Sequence, residues 1–228
     1  MRFYLHDVTG IRTLTRIAFD ESFADISTLV ALYDELTESR KKRPDIKYEA
    51  LKRSAIFLIV TAWETFVEDT ILDSFEERLN SARTAKVIKS TFEAAADSWL
   101  GSHKNRVPLP SELADWAGSG WKKILTAQAR KDVNSLNTPN SDNLEHLFKK
   151  YLGVSLETAW KMPKKSFAQT RRQLDLLIML RGRIAHISKR VFAHYRSVSR
   201  KEVTDAMKLI LSLVDAIERN LGIQRTQA

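Results

Sequence analysis

Apolar residues return every third or fourth position along most of this chain, the spacing that lays side chains on one face of a helix. Across residues 19 to 39 the recurring set is Phe23, Ile26, Leu29, Val30, Tyr33 and Leu36, which predicts a first amphipathic helix. Lys41-Lys42-Arg43-Pro44 ends it, because Pro44 disfavours helical geometry at Arg43. The pattern resumes near Ile46 and predicts a long second helix to about Leu79. Its segment from Ala55 to Val60 is apolar all round, the mark of the most buried element of a bundle.

A shorter helix is predicted from Thr84 to Trp99. Gly101 to Gly120 then gathers Pro108, Pro110 and Gly118, turn chemistry that predicts a loop. The stretch from about 100 to 165 is expected as a region inserted into the bundle. Within it, Trp121 to Val133 and Leu144 to Leu152 read as short helices separated by Asn134-Ser135-Leu136-Asn137-Thr138-Pro139-Asn140. Ser166 with Gln169 forms a capping-box pattern that opens a helix running to Arg181. Ser199 with Glu202 forms another, opening a last helix on which Met207, Ile210, Leu211, Val214 and Ile217 recur before Gly222 stops it. No segment alternates apolar and polar as a half-buried strand does, so the pattern predicts an all-α fold.

Composition narrows this to one helix-rich domain spanning 1–228, with 43% hydrophobic residues, 7 Gly and 5 Pro. With no Cys, disulfides and thiolate metal sites are excluded. The start, with Arg2, His6 and Asp7, lacks the apolar core of a signal peptide. No apolar run reaches the roughly 18 residues of a membrane span, so a cytoplasmic protein with no membrane partner is expected.

Charge changes the picture more. Between Lys161 and Lys201 there are 12 Lys or Arg against one acid, Asp175, while the rest of the chain holds 25 basic and 27 acidic side chains. The net charge of +9 is therefore a local patch, and a patch of that sign draws polyanions and phosphate backbones. Inside it lies Arg181-Gly182-Arg183-Ile184-Ala185-His186. An imidazole, which titrates near neutral pH, stands five positions after a guanidinium suited to a phosphate oxygen. On an unbroken helix the two would lie about 140° apart, and Gly182 is where the backbone is expected to leave ideal geometry. Arg183, Lys189, Arg190, Arg196 and Arg200 are expected to track a nucleic-acid backbone, with Phe192, His194 and Tyr195 available to stack on bases. Trp63, Trp99, Trp116, Trp121 and Trp160 are expected as core or interface anchors. His6, His103, His146 and His194 show no zinc-binding spacing, and neither a Gly-rich phosphate loop nor a nucleophile elbow occurs.

An Arg-x4-6-His match arises by chance about once in a chain of this makeup, so its setting matters. Here it follows the apolar run Leu174, Leu176, Leu177, Ile178, Met179, Leu180 and precedes one last long helix. In that setting it resembles the motif that the HEPN superfamily carries late in its helical fold, and the chain is most similar to the branch called RiboL-PSP-HEPN. The stretch from Tyr48 to Asp69 resembles the family's early core helix, in which an apolar run ends near an aromatic or Leu followed by Glu, here Trp63-Glu64. The resemblance covers most of the chain. It implies an all-α HEPN bundle and RNA cleavage without metal or other cofactor. In that reaction the ribose 2′-hydroxyl attacks the neighbouring phosphorus, His186 shuttles protons and Arg181 stabilises phosphoryl charge. It also implies two-fold pairing that joins two motifs in one cleft, and a bacterial defence or toxin–antitoxin setting with an antitoxin or defence-system protein as partner. Glu64 is a candidate to approach the motif. Two positions depart from the family: Gly182 stands where many members have Asn, Asp or His, and Ile187 where many have Gly. The alternative is a non-catalytic HEPN-like module that binds RNA or a protein.

Overall fold

The computed structural model describes residues 13–38, 46–101, 107, 109–136, 138–163, 165–186 and 197–222. Among these residues the regular structure is helical and there is no strand. The first helix, α1 (Leu14–Glu38), buries Phe19, Phe23, Ile26, Val30 and Tyr33, the face its periodicity sets. It starts five residues before the apolar pattern does. Its extra turn is held by polar contacts: Arg16 pairs with Asp20, Asp215 and Glu218 at 2.7–2.9 Å, and the Thr15 hydroxyl donates to Asp73 at 2.7 Å. The segment from Lys41 to Pro44 lies outside the described residues.

A 3-10 turn at Ile46–Tyr48 leads into α2 (Glu49–Ser81), a helix of 33 residues and so about 50 Å long. It is the centre of the bundle, packing against α1 and against three later helices, α5 (Gly120–Asn134), α8 (Phe167–His186) and α9 (Arg200–Leu221). Its burial is not complete around the axis. Ala55, Ile56, Ile59 and Val60 are buried, but Phe57 and Leu58 are each 38% exposed.

After α2 come a 3-10 turn at Ala85–Ile88, α3 (Lys89–Gly101) and α4 (Pro110–Ala114). Within the predicted loop the described residues from 109 to 119 are pinned by aromatics, since Trp116 packs on Phe92 and Trp99 with ring centroids 5.8 and 5.1 Å apart. Gly120 is required there, because a Cβ would sit 1.8 Å from the Asp115 carbonyl oxygen. Downstream, α6 (Ser141–Leu147) is capped by the Asn140 side chain and runs into a π-helical turn at Phe148–Leu152. Next come α7 (Leu156–Ala159), α8 and α9. Leu125, Leu144, Phe148, Tyr151 and Trp160 join the same core as α1, α2 and α9. Trp63 stacks between Phe66 and Trp160 at that centre, and Trp121 is buried too, the anchor role expected of them. The last helix carries both halves of the predicted capping box, Ser199 with Glu202, and ends at Gly222 with φ +58°.

Candidate functional site

Helix α8 runs unbroken through Gly182 to His186, so the backbone departure expected at that glycine does not occur. The glycine is not left-handed, and a Cβ placed on it would meet nothing within 4 Å. What sustains the last turn is a cap from outside the helix: Arg53 of α2 donates through Nη2 to the Ile184 carbonyl at 2.8 Å. Carbonyls at a helix C-terminus have no partner of their own, and a cation there also opposes the negative end of the dipole. With the helix intact, position 186 lies about 140° around the axis from position 181. Of His186 itself the backbone alone is described.

Arg181 continues the inward stripe of α8. Thr170, Leu174, Leu177 and Ile178 are buried on that stripe, and one turn later the guanidinium occupies the place of a further apolar side chain. It lies over the Phe57 ring with its central carbon 4.9 Å from the centroid. Its Nη2 is 3.4 Å from Glu64 Oε2, and its Nε is buried with no partner among the described residues. Burial raises Glu64 above the ordinary carboxylate range while the Arg181 charge pulls it down. Glu68 is raised too, first by burial and then by the charges of Glu64 and Asp69, and Asp69 is raised by burial and by Asp73. Arg181 thus meets the head of a half-buried acidic row along α2.

The basic stretch around the motif is tied to α2 at two points. Arg53 holds it at Ile184, and one turn earlier Glu49, 5% exposed, accepts the Val198 N–H just before α9 while pairing with Lys52 at 2.9 Å. The stretch's one acid is consumed structurally. Asp175 accepts the Ser141 N–H at 2.9 Å and the Ser141 hydroxyl at 2.8 Å, fixing the start of α6. Arg183 is exposed on the outer side of α8. Arg200, grouped by charge with the backbone-tracking cations, is engaged otherwise: it holds Asp34 of α1 through two hydrogen bonds of 2.8 Å and also donates to Thr204. A fork-to-fork pair of this kind satisfies a guanidinium well, and it joins the start of α9 to α1. Lys189, Arg190 and Arg196, with Ile187, Phe192, His194 and Tyr195, lie outside the described residues.

The structure therefore brings Arg181 and Glu64 together and adds two residues that the sequence pattern did not single out, Arg53 and Phe57. A signal existed for one of them. For Arg53 it lies in the charge pattern: Glu49, Arg53 and Glu64 share one side of α2, and such a side needs a polar partner, whereas nothing in the sequence marked Phe57.

A family model described as RiboL-PSP-HEPN matches residues 20–222, a span holding most of α1 and all of α2 through α9. Comparisons with curated proteins and with solved structures each returned no match.

Proposed function

The chain belongs to the RiboL-PSP-HEPN family, and on that premise we propose that it is a metal-independent endoribonuclease whose active residues are Arg181 and His186. The ribose 2′-hydroxyl attacks the adjacent phosphorus, the bond from phosphorus to the 5′-oxygen breaks, and a 2′,3′-cyclic phosphate remains. His186 takes the proton from the 2′-hydroxyl or gives one to the leaving oxygen, help worth about 10²–10⁴ in rate. Arg181 stabilises the charge that gathers on the phosphoryl oxygens.

One observation carries this reading. Two arginines that join helices are well engaged, Arg16 by three carboxylates and Arg200 by a bidentate one. Arg181 lies between the Phe57 ring and Glu64, yet among the described residues its one carboxylate contact is long, at 3.4 Å, and its Nε has no partner. The Arg181 side chain stays 28% exposed while it is held in position, and a guanidinium held in this way suits an anionic ligand.

Because the unbroken helix separates positions 181 and 186, the working unit we propose is a homodimer in which Arg181 of one subunit and His186 of the other act on one phosphate. The setting proposed is bacterial defence or a toxin–antitoxin pair, with RNA as substrate and an antitoxin or defence-system protein as regulator. One observation favours a second reading: Gly182 puts no side chain into the open space next to Arg181, which fits a non-catalytic module that only binds RNA.

The test is to incubate purified protein with total RNA in EDTA. The parent should cleave it, and Arg181→Ala and His186→Ala should each abolish cleavage while leaving the fold intact. Mixing the two variants should restore partial activity if the site is shared. Variants that cleave like the parent would overturn the site, and inactive mixtures despite proven subunit exchange would overturn the shared arrangement. RNA binding without cleavage by the parent would select the second reading.

A further inference from the structure

We infer that the shallow groove beside Arg181, lined by Ala50, Arg53, Ser54, Phe57 and Ile184, is a subsite for one nucleobase of the RNA strand, next to the phosphate that Arg181 grips. The inference rests on the ribonuclease reading. Its basis is the position of the Phe57 ring. Arg181 covers that ring and also reaches Glu64, seven residues further along α2, so the guanidinium lies toward the C-terminal side of Phe57. The other α2 residues of the groove, Ala50, Arg53 and Ser54, all precede Phe57 and lie on its N-terminal side. One aromatic ring therefore separates the phosphate-binding cation from an open hollow.

The hollow's chemistry suits a base. Ala50 and Ser54 are small and exposed, which leaves the wall formed by Phe57 uncovered. Ser54 brings a hydroxyl for a base edge, and Arg53, anchored at 2.8 Å on the Ile184 carbonyl, brings a guanidinium plane. Bases splayed from single-stranded RNA are held in this way, on aromatic faces and arginine planes with a few polar contacts to their edges. Size points in the same direction. The groove encloses about 260 Å³, below the roughly 300–1,000 Å³ of pockets that take drug-sized ligands, so it has room for a single ring system rather than a whole dinucleotide.

Short single-stranded oligonucleotides with 2′-O-methyl riboses, which lack the attacking hydroxyl, provide the probe when 2-aminopurine is placed at successive positions. Binding to the parent should quench the fluorescence strongly at one position. Ser54→Leu fills the groove while leaving Phe57, Glu64 and Arg181 in place, and it should remove that quench and weaken binding roughly 5- to 150-fold, the range for losing one base–aromatic stack. Phe57→Ala should do the same and Phe57→Tyr should not. Both positions are at the surface, and Ser54→Leu keeps the test decisive if Phe57→Ala melts early. Unchanged quench and affinity in Ser54→Leu, beside a parent that cleaves RNA, would refute the subsite and leave the nuclease standing. A shift in sedimentation with no effect on quenching would also refute it, because the groove would then be covered by a second copy of the chain. Quenching with no cleavage of natural RNA would keep the subsite and remove the nuclease, and no binding at all would overturn both.

Discussion

Replacing Gly182 with alanine separates an unbroken α8 from one that must depart from helical geometry within the motif. Gly182 lies four residues before the end of α8, has no left-handed φ, and would place a Cβ where nothing stands within 4 Å. Alanine meets no clash there and removes conformational freedom from the unfolded chain, which stabilises by about 0.5–1 kcal/mol in a helix interior. For a domain of this size each kcal/mol shifts the melting temperature by roughly 2–4 °C, so Gly182→Ala should melt about 1–4 °C above the parent. Gly182→Pro is the opposite perturbation. Its ring would meet the Ile178 carbonyl and remove a helical hydrogen bond, at a cost of about 3 kcal/mol or more. Thermal melts followed by circular dichroism measure both, and RNA cleavage measured alongside connects them to function. Cleavage by Gly182→Ala at close to the parent's rate is the expected result. A lower melting temperature for Gly182→Ala, or a folded variant without activity, would show that the working backbone breaks at this glycine and would refute the unbroken helix.

Two further outcomes follow from charge. Substituting Lys189 and Arg190 together with alanine should weaken RNA binding across sequences and reduce the salt slope by about 1.4, since each phosphate of a single strand that is no longer neutralised changes it by roughly 0.7. Arg200→Ala, which removes the Asp34 pair instead, should leave the slope unchanged and destabilise by at most about 1 kcal/mol; a slope that fell with Arg200→Ala would reverse that assignment. Glu68, raised by burial and by neighbouring Glu64 and Asp69, disfavours folding once ionised, so its contribution is most favourable below the ordinary glutamate value and declines as pH rises through the raised one. Glu68→Gln should therefore melt above the parent at pH 7–8 and equal it near pH 4, and the same difference at both pH values would refute this account.

Much of this architecture was legible in the chain before folding. The inward faces of α1 and α9, the Ser199–Glu202 capping box and the stop at Gly222 depend on residues three or four apart, and the sequence displays such spacings directly. Arg181-Gly182-Arg183-Ile184-Ala185-His186 and the charge around it were visible for the same reason. The geometry around Arg181 was legible only in Glu64, a candidate that the family resemblance supplied. Glu64 meets Arg181 across 117 residues, Arg53 caps Ile184 across 131, and Asp34 claims Arg200 across 166. The start of α1 was missed because Arg16 finds Asp215 and Glu218 on α9, and the exposure of Phe57 because apolar periodicity records a side chain's type and not which helix covers it. Local spacing determines which residues become helix and which face turns inward, through hydrogen bonds and side-chain packing within one or two turns. Which cation keeps a spare donor depends on helices packing from distant parts of the chain, and only the tertiary structure decided it.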